Sequence, residues 1–308
     1  MAKLVRVASI TFRGTANRRP VRETVGDNLT AIVDLLEKAA RDEPDIACLP
    51  ECSPTRGLSC EDSVKMAEEV PGPMFERVSS VAKEHGMYVV FPMLEKRNSR
   101  VYNSALLIDD KGDLIGRYHK VYPTIPEIEA GISPGDEQKP LKTGIAALGF
   151  AICFDINFED AVRSQFGQGV KLAFFPSAYP GGLQLRQWAF KYGVYVVSAC
   201  SGEESVMIDP LGRVMCRSST YSPILCRTLN LDYEVLHLNF NYEKLGRVKD
   251  KYGPKVELEV SRPEAVLMLS SNAKDITAGD VIKEFKLETR EEYFKRASEV
   301  RRGALPST

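Results

Sequence analysis

Three side chains in this chain of 308 residues are of types that support nucleophilic chemistry, and the first is Cys153. It follows the apolar run 148–152, and the residues after it predict a helix with Phe158, Val162 and Phe166 on one face. The cysteine therefore falls at a strand-to-helix junction, the end of a strand at which ligands bind to an open α/β sheet. A thiol in that place is either a nucleophile or inert core filler, because free cysteine is among the most buried residue types.

A cysteine nucleophile needs a base, because only a small fraction of an unperturbed thiol is ionised at neutral pH. The chain has three histidines: His85 at a helix end, His119 beside a lysine, and His237 in the C-terminal part. The alternative base is Glu51, at the end of a short apolar strand, although a carboxylate there can also be an ordinary solvated loop residue. Lys120 follows a predicted hairpin, and alone it would be expected on the surface.

The composition fits an ordinary soluble globular protein: 44% of the residues are hydrophobic, 27% are charged, and the formal net charge is -1. Mixed charges of this kind produce no positive electrostatic field that would attract nucleic acid or an anionic membrane. The expected partner is therefore a small molecule. Seven cysteines, an odd number in apolar contexts, indicate reduced thiols in a cytoplasmic compartment. No metal and no cofactor is predicted, and neither is a signal peptide or a membrane span.

The elements that would position these residues recur in two halves. The predicted strands of the first half cover residues 5–10, 46–49, 88–91 and 104–109, and those of the second half cover 150–153, 172–177, 193–197 and 205–209. Helices separate the first three strands of each half, and Asp27 or Asn28 is the predicted N-cap of the first helix. This self-similarity predicts an α/β fold, a four-layer α-β-β-α sandwich built from two similar β-α-β-α-β-β halves.

The last part of the chain has a different pattern. Residues 1–232 are predicted to form the main domain, and residues 233–308 a C-terminal extension that packs on the same domain or on a partner subunit. The extension contains a strictly alternating segment, 256–260, which predicts an edge strand, and a charged helix from about Thr289 to Arg301. It is too short and too thinly apolar to predict a separate domain.

The three residues and their surroundings resemble the nitrilase superfamily of carbon-nitrogen hydrolases. That family is marked by a glutamate after Leu-Pro, a lysine after a hairpin, and a cysteine in an Ile-Cys-Tyr/Phe-Asp context, in that order. The matching segments here are Leu49-Pro50-Glu51, Tyr118-His119-Lys120 and Ile152-Cys153-Phe154-Asp155. Further similar segments are Pro134-Gly135-Asp136, Phe175-Pro176-Ser177-Ala178 and Ile208-Asp209-Pro210-Leu211-Gly212. The resemblance covers roughly residues 4–232.

The resemblance implies hydrolysis of a non-peptide carbon-nitrogen bond in a small amide through a cysteine thioester. Glu51 would take the thiol proton and Cys153 would attack the amide carbon. Lys120 and the backbone N–H of Phe154 would hold the developing oxyanion. The implied substrate-binding residues are Phe154, Asn157, Ser177, Ala178 and Tyr179.

A second glutamate beside the lysine, which orients it or relays a proton, is also implied. Glu127 and Glu129 are the two candidates, and Glu129 is preferred because an Ile-Glu pair shortly before a glycine resembles the aliphatic amidase pattern. Either glutamate can also be an ordinary solvated helix carboxylate.

Two departures from the family pattern narrow the range of expected substrates. Relatives that hydrolyse nitriles usually have Cys-Trp-Glu, whereas this chain has Cys153-Phe154-Asp155, which favours amides. Relatives that hold a substrate carboxylate often have an arginine two residues after that aspartate, where this chain has Asn157. A neutral amide cannot form the charge-assisted fork of arginine, so an acidic omega-amide is not predicted.

Two other functions remain open from the sequence: a non-catalytic α/β interaction protein that keeps the fold, and a cysteine-dependent acyltransferase or esterase on the same scaffold. A homodimer or higher homo-oligomer is also expected. The helix face with Phe158, Val162 and Phe166 needs cover, and so do the apolar stretches 235–238 and 265–269. A partner subunit would supply that cover, with the extension at or beside the interface.

Overall fold

The computed structural model describes residues 3–15, 20–167, 169–202 and 204–305. The described residues divide into two compact units, one from Val5 to Thr228 and the other from Leu229 to Leu305 together with Lys3 and Leu4. This division lies close to the predicted boundary at 232. None of the helices in the described part of the chain has both the length and the apolar character that crossing a bilayer requires.

In its described residues, the first unit contains two six-stranded sheets and six α-helices. Its strands are β1 (Leu4–Ile10), β2 (Ile46–Cys48), β3 (Tyr88–Arg97), β4 (Arg100–Ile108), β5 (Leu114–His119), β6 (Leu141–Lys142), β7 (Ala147–Phe150), β8 (Leu172–Ser177), β9 (Tyr195–Cys200), β10 (Val206–Ile208), β11 (Val214–Arg217) and β12 (Ile224–Asn230). Its helices are α1 (Val21–Ala40), α2 (Cys60–Lys65), α3 (Pro73–His85), α4 (Ile125–Glu129), α5 (Glu159–Phe166) and α6 (Gly182–Tyr192).

The two sheets repeat one topology. The first has the strand order β12-β1-β2-β3-β4-β5 and the second β11-β10-β9-β8-β7-β6. In each sheet two parallel pairs are followed by an antiparallel pair: β1-β2, β2-β3 and β3-β4 in one, and β7-β8, β8-β9 and β9-β10 in the other. Helices α1 and α3 connect the parallel strands of the first half, and α5 and α6 those of the second. The two predicted β-α-β-α-β-β halves are confirmed.

Alternation along the strands separates a helix-facing side from a sheet-facing side. In β1, Ala8 and Ile10 join the core beneath α1 and α3. Ser9 points the other way, and its hydroxyl donates a hydrogen bond to the carbonyl of Ser198 in the second sheet. Helices α5 and α6 cover the outer face of that second sheet. The predicted four-layer α-β-β-α sandwich is therefore confirmed.

Two details of the helices differ from the predictions. Helix α1 begins at Val21, so the N-cap predicted at Asp27 or Asn28 is wrong. The reason is that the buried Asn28 side chain serves another loop: its amide donates to the carbonyls of Pro54 (3.0 Å) and Arg56 (2.8 Å). On α5, Val162 is fully buried and Phe166 is 1% exposed in the core of their own half. That face is not left for a partner subunit.

The second unit has a sheet and an apolar core of its own. Its elements are β13 (Tyr233–His237), α7 (Tyr242–Tyr252), β14 (Val256–Ser261), β15 (Val266–Ser271), α8 (Ala278–Phe285) and α9 (Arg290–Gly303). The strands pair in the order β13-β15-β14, so the predicted edge strand and C-terminal helix are confirmed. Leu236, Leu267 and Leu269 are buried in this unit's core together with Val281 of α8. The apolar stretches of the extension therefore cover one another, and the expectation that they need an external surface is wrong.

Candidate active site

Lys120 lies at the centre of the site, directly after β5, and its side chain is 1% exposed. Its Nζ donates to Glu51 Oε1 at 2.8 Å and to Glu127 Oε2 at 2.7 Å. Burial on its own would lower the pKa of Lys120, but the charges of Glu51 and Glu127 and the hydrogen bond to Glu127 oppose burial, and the pKa is raised. The ammonium group is therefore held positively charged inside the protein.

The second glutamate beside the lysine is Glu127, and the preference for Glu129 is wrong. Glu127 belongs to the first turn of α4, where its Oε2 also accepts from the backbone N–H (2.7 Å) and hydroxyl (2.9 Å) of Thr124. Burial tends to raise the pKa of Glu127, but the charge and hydrogen bond of Lys120 and the Thr124 N–H lower it. Glu129 is exposed, because residues two apart on a helix point in nearly opposite directions.

Asn103, on β4, joins the two glutamates and was not identified from the sequence. Its Nδ2 donates to Glu51 Oε1 and to Glu127 Oε1, both at 2.9 Å, and the residue is 1% exposed. With both donors on one amide nitrogen, Asn103 presents its positive end to both carboxylates. The available signal was a polar Asn103-Ser104 pair inside an otherwise apolar strand, which calls for buried partners.

Cys153 begins a short 3₁₀ turn, Cys153–Asn157, directly before α5. Its φ of 48° lies in the left-handed region, where non-glycine residues are uncommon and which costs about 1–3 kcal/mol at functional sites. Burial and the charge of Glu51 raise the pKa of the thiol well above its usual range, against the opposing effects of Lys120, the Ala178 N–H and the Ser177 hydroxyl. A raised pKa favours the neutral thiol, and a cysteine in that state needs a base before it can act as a nucleophile.

Asp155 holds the turn that carries the cysteine, and it is fully buried. Its carboxylate accepts from the backbone N–H groups of Ile152 (2.9 Å) and Tyr122 (2.8 Å) and from the hydroxyl of Tyr118 (2.9 Å). Burial raises the pKa of Asp155 to about 6, against the lowering effect of these hydrogen bonds. The carboxylate is therefore ionised at neutral pH and serves as an internal anchor.

Glu51, Lys120 and Cys153 line one cavity with a volume of about 220 Å³. Pockets for drug-sized ligands are usually about 300–1,000 Å³, so this cavity suits a small substrate. Its apolar lining includes Leu58, Leu94 and Ile132, and its other polar lining includes Thr55, Arg56 and Ser63. The structure thus brings the three predicted catalytic residues together in a partly apolar pocket of small-molecule size.

Of the five predicted substrate-binding residues, Ala178 lines this cavity. Ser177 is buried, and its hydroxyl accepts from the N–H of Tyr179 at 3.0 Å. The hydroxyl of Tyr179 donates to the carbonyl of Cys153 at 3.3 Å, which ties Tyr179 to the turn that carries the cysteine. These two residues contact the protein around Cys153 rather than the cavity.

The other two lie further out. Asn157 is exposed, and its amide is used within the protein: it donates to the carbonyl of Phe154 (3.0 Å) and accepts from Gln184 (2.9 Å). The ring of Phe154 packs edge-on against Phe158 at 5.3 Å between centroids. Its backbone N–H lies in the first turn of the 3₁₀ segment, where such groups have no partner within the helix.

None of the seven cysteines, all of which lie in the described ranges, forms a disulfide bond. Within the described ranges, no group of three or more histidine, cysteine, aspartate or glutamate side chains is arranged to hold a metal ion. The charges at the site come from Glu51, Lys120, Glu127 and Arg56. The chemistry that this arrangement supports is acyl transfer to a buried thiol, with a carboxylate as base and an ammonium group beside the reacting carbon.

Comparison with known proteins agrees with this geometry. The carbon-nitrogen hydrolase family model matches residues 6–234, most of the chain. The omega-amidase NIT2 of Mus musculus is 26% identical over 249 residues, which cover 72% of this chain and 89% of that protein.

Two solved structures share the fold. Nit3 of Saccharomyces cerevisiae, a member of branch 10 of the nitrilase superfamily, matches with a TM-score of 0.62 at 20% identity, over 82% of this chain and 95% of that one. An amidase from Nesterenkonia sp. AN1, solved with the acetamide moiety of fluoroacetamide on its active-site cysteine, matches with a TM-score of 0.61 at 22% identity, over 75% of this chain and 91% of that one. This chain belongs to the carbon-nitrogen hydrolase family.

Proposed function

We propose that this protein hydrolyses a small amide through a thioester on Cys153, with Glu51 as the base and Lys120 as the oxyanion donor. The observation that carries the proposal is the pair of short contacts of Lys120 Nζ, 2.8 Å to Glu51 and 2.7 Å to Glu127, beside a cavity that Cys153 also lines. A surface lysine or a structural cysteine would not require this arrangement.

The first half-reaction forms the thioester. Glu51 accepts the proton of the Cys153 thiol as the sulfur attacks the amide carbon, which is consistent with a resting thiol of raised pKa. The carbonyl oxygen gains negative charge, and Lys120 together with the N–H of Phe154 stabilises it. When the carbon-nitrogen bond breaks, protonated Glu51 returns the proton to the leaving nitrogen, so that ammonia or an amine departs.

The second half-reaction regenerates the enzyme. Water enters the place of the leaving amine, Glu51 takes one of its protons, and the oxygen attacks the thioester carbon. The same oxyanion donors act again, the carbon-sulfur bond breaks, and the proton on Glu51 passes to the Cys153 sulfur. The product is a carboxylic acid, and the thiol is restored.

Glu127 and Asn103 act on the other groups rather than on the substrate. Glu127 holds the ammonium of Lys120 in place and stays ionised because its pKa is lowered. Asn103 keeps the carboxylates of Glu51 and Glu127 oriented towards the lysine. Both are positioning residues, and together they hold a like-charged pair around a single cation.

Release of ammonia tests the proposal. A panel of small primary amides, nitriles and N-carbamoyl compounds is incubated with the wild-type protein and with the Cys153→Ala variant. We expect ammonia from amides with the wild type alone, and circular dichroism spectra that coincide for the two proteins. Absence of ammonia from every amide in the panel would refute the assignment as an amidase for small substrates.

We also propose a homodimer and a reducing, cytoplasmic location. Seven cysteines without a disulfide bond are consistent with a reducing compartment. In the first unit, Leu183 is 65% exposed and Tyr221 is 98% exposed, and a subunit contact would cover such apolar side chains. Light scattering at micromolar concentration tests the assembly: a mass near 34 kDa would refute the dimer. Fractionation of the source cells tests the location.

A further inference from the structure

We propose that the amide substrate carries a carboxylate and that Arg56 binds it, an inference that rests on the proposed function of the same cavity. Arg56 follows Thr55 in the loop after Glu51, it lines the cavity with Glu51, Lys120 and Cys153, and it is half-buried. No sequence motif pointed to this residue.

The charges of the cavity leave Arg56 available for a ligand. Lys120 is bound on both sides by Glu51 and Glu127, so its charge is already compensated by protein groups. Across the ranges that the structure describes, the guanidinium of Arg56 forms no ion pair with an aspartate or glutamate. A half-buried cation without an anionic partner is costly, and an anionic ligand would remove that cost.

The loop holds Arg56 in a fixed position. Its carbonyl accepts a 2.8 Å hydrogen bond from the buried Asn28, and its N–H donates to the carbonyl of Ser53 at 3.4 Å. The aliphatic stem lies against Gly14, where a Cβ would come within 3.2 Å of Arg56 Cγ. Gly14 has a φ of 87°, a conformation that favours glycine. Two separate segments thus restrain the arginine before any ligand binds.

A carboxylate is the anion that fits best. Arginine presents a planar fork of N–H donors that matches a carboxylate in bidentate geometry. The cavity volume of about 220 Å³ limits the substrate to a short chain between the amide and the anion. Asn157, the position at which an arginine was expected for an acidic substrate, is exposed and bonded to Phe154 and Gln184. Arg56 supplies the missing cation from a different loop.

The test compares two substrates that differ in one group: the monoamide of glutaric acid, and pentanamide, in which a methyl group replaces the carboxylate. Ammonia release gives kcat and KM for both with the wild type, Arg56→Gln and Arg56→Lys. Arg41→Gln, an exposed arginine directly after α1, is the matched control. Titration of glutarate into Cys153→Ala, with and without Arg56→Gln, measures binding without turnover.

We expect the wild type to prefer the anionic amide by at least tenfold in kcat/KM. Arg56→Gln should reduce that preference at least tenfold, mainly through KM, and should weaken glutarate binding. Arg56→Lys should retain part of the preference for the anionic amide, and Arg41→Gln should retain all of that preference. Hydrolysis of both amides with a preference that Arg56→Gln leaves unchanged would overturn the role of Arg56 while the amidase function stands. Failure of the wild type to release ammonia from the glutaric monoamide, while it hydrolyses another amide of the panel, would overturn the carboxylate proposal and leave the amidase function standing.

Discussion

The hydroxyl of Tyr118 donates a 2.9 Å hydrogen bond to the buried carboxylate of Asp155. Tyr118 precedes Lys120 by two residues and Asp155 follows Cys153 by two, so this bond ties the end of the strand that presents the lysine to the turn that presents the cysteine. The bond joins the two sheets, because Tyr118 lies on β5 and the turn follows β7. Asp155 therefore connects the segment that presents Lys120 to the turn that presents Cys153.

Asp155 should contribute to the pH dependence of the protein's stability. Its folded-state pKa of about 6 lies above the value of about 3.9 for an unfolded aspartate, so the folded state binds the proton more tightly. The stability contributed by this group is fully present below pH ~4 and is lost as the pH rises through about 6. Urea unfolding of wild type and Asp155→Asn at pH 5 and pH 7 measures it.

The free energy of unfolding of the wild type, taken relative to Asp155→Asn, should be roughly 1–1.5 kcal/mol greater at pH 5 than at pH 7. A difference that instead grows with rising pH would mean that the carboxylate is stabilised by its three donors more than burial destabilises it. At pH 7, Asp155→Asn should also lower kcat, because an amide cannot accept from all three donors.

Glu127 and Glu129 form a matched pair for mutation, because they differ by two positions on one short helix and only Glu127 contacts Lys120. Glu127→Gln keeps the shape but removes the charge that holds the ammonium. We expect kcat to fall about 10- to 100-fold, which corresponds to about 1.4–2.7 kcal/mol. Glu129→Gln should stay within twofold of the wild type. Steady-state ammonia release measures both variants. A larger loss of kcat in Glu129→Gln than in Glu127→Gln would show that Glu129 is the second glutamate.

Glu127 and Glu129 also show how much of the site could be predicted from the sequence. Glu51, Lys120 and Cys153 were identifiable because their three short segments occur in the order that marks the resembling family, each shortly after a strand. The choice between Glu127 and Glu129 depended on the rotational phase of a five-residue helix, which is set by the Thr124 capping box. Periodicity cannot determine phase over one turn.

Residues whose roles arise from long-range contacts were not predictable. Asn103 reaches Glu51 across 52 positions of sequence, and Asn28 fixes the Arg56 loop from within a helix that was expected to begin there. The extension forms its own core because residues far apart in sequence, such as Leu236 and Val281, pack together. Local patterns gave its strand and helix but not that shared core.

Asn103→Leu removes the amide that joins the two glutamates while keeping a similar volume. We expect kcat to fall at least tenfold with a smaller change in KM, because the orientation of the base is lost rather than a substrate contact. Stability should also fall, by about 1–3 kcal/mol, since two buried carboxylates lose a donor. Asn239→Leu, at an exposed position of the second unit, is the control. A variant that loses stability while its kcat stays at the wild-type value would show that Asn103 is structural.

Lys120→Ala removes the proposed oxyanion donor and the cation between two carboxylates. Loss of an oxyanion donor costs about 100- to 1,000-fold in kcat, and breaking a buried pair costs about 3–5 kcal/mol of stability. Rates should therefore be expressed per folded molecule, with the folded fraction taken from circular dichroism. A fall of less than about tenfold per folded molecule, roughly 1.4 kcal/mol, would show that Lys120 does not stabilise the transition state.

The thioester on Cys153 is the central claim, and mass spectrometry of acid-quenched turnover mixtures tests it most directly. With a hydrolysed amide, the wild-type protein should gain the mass of the acyl group less one hydrogen, and proteolytic mapping should place that mass on the peptide containing Cys153. The Cys153→Ala variant should show neither the adduct nor ammonia release. Near-normal ammonia release by Cys153→Ala, or an adduct that maps to Cys52 or Cys60 instead, would contradict the account.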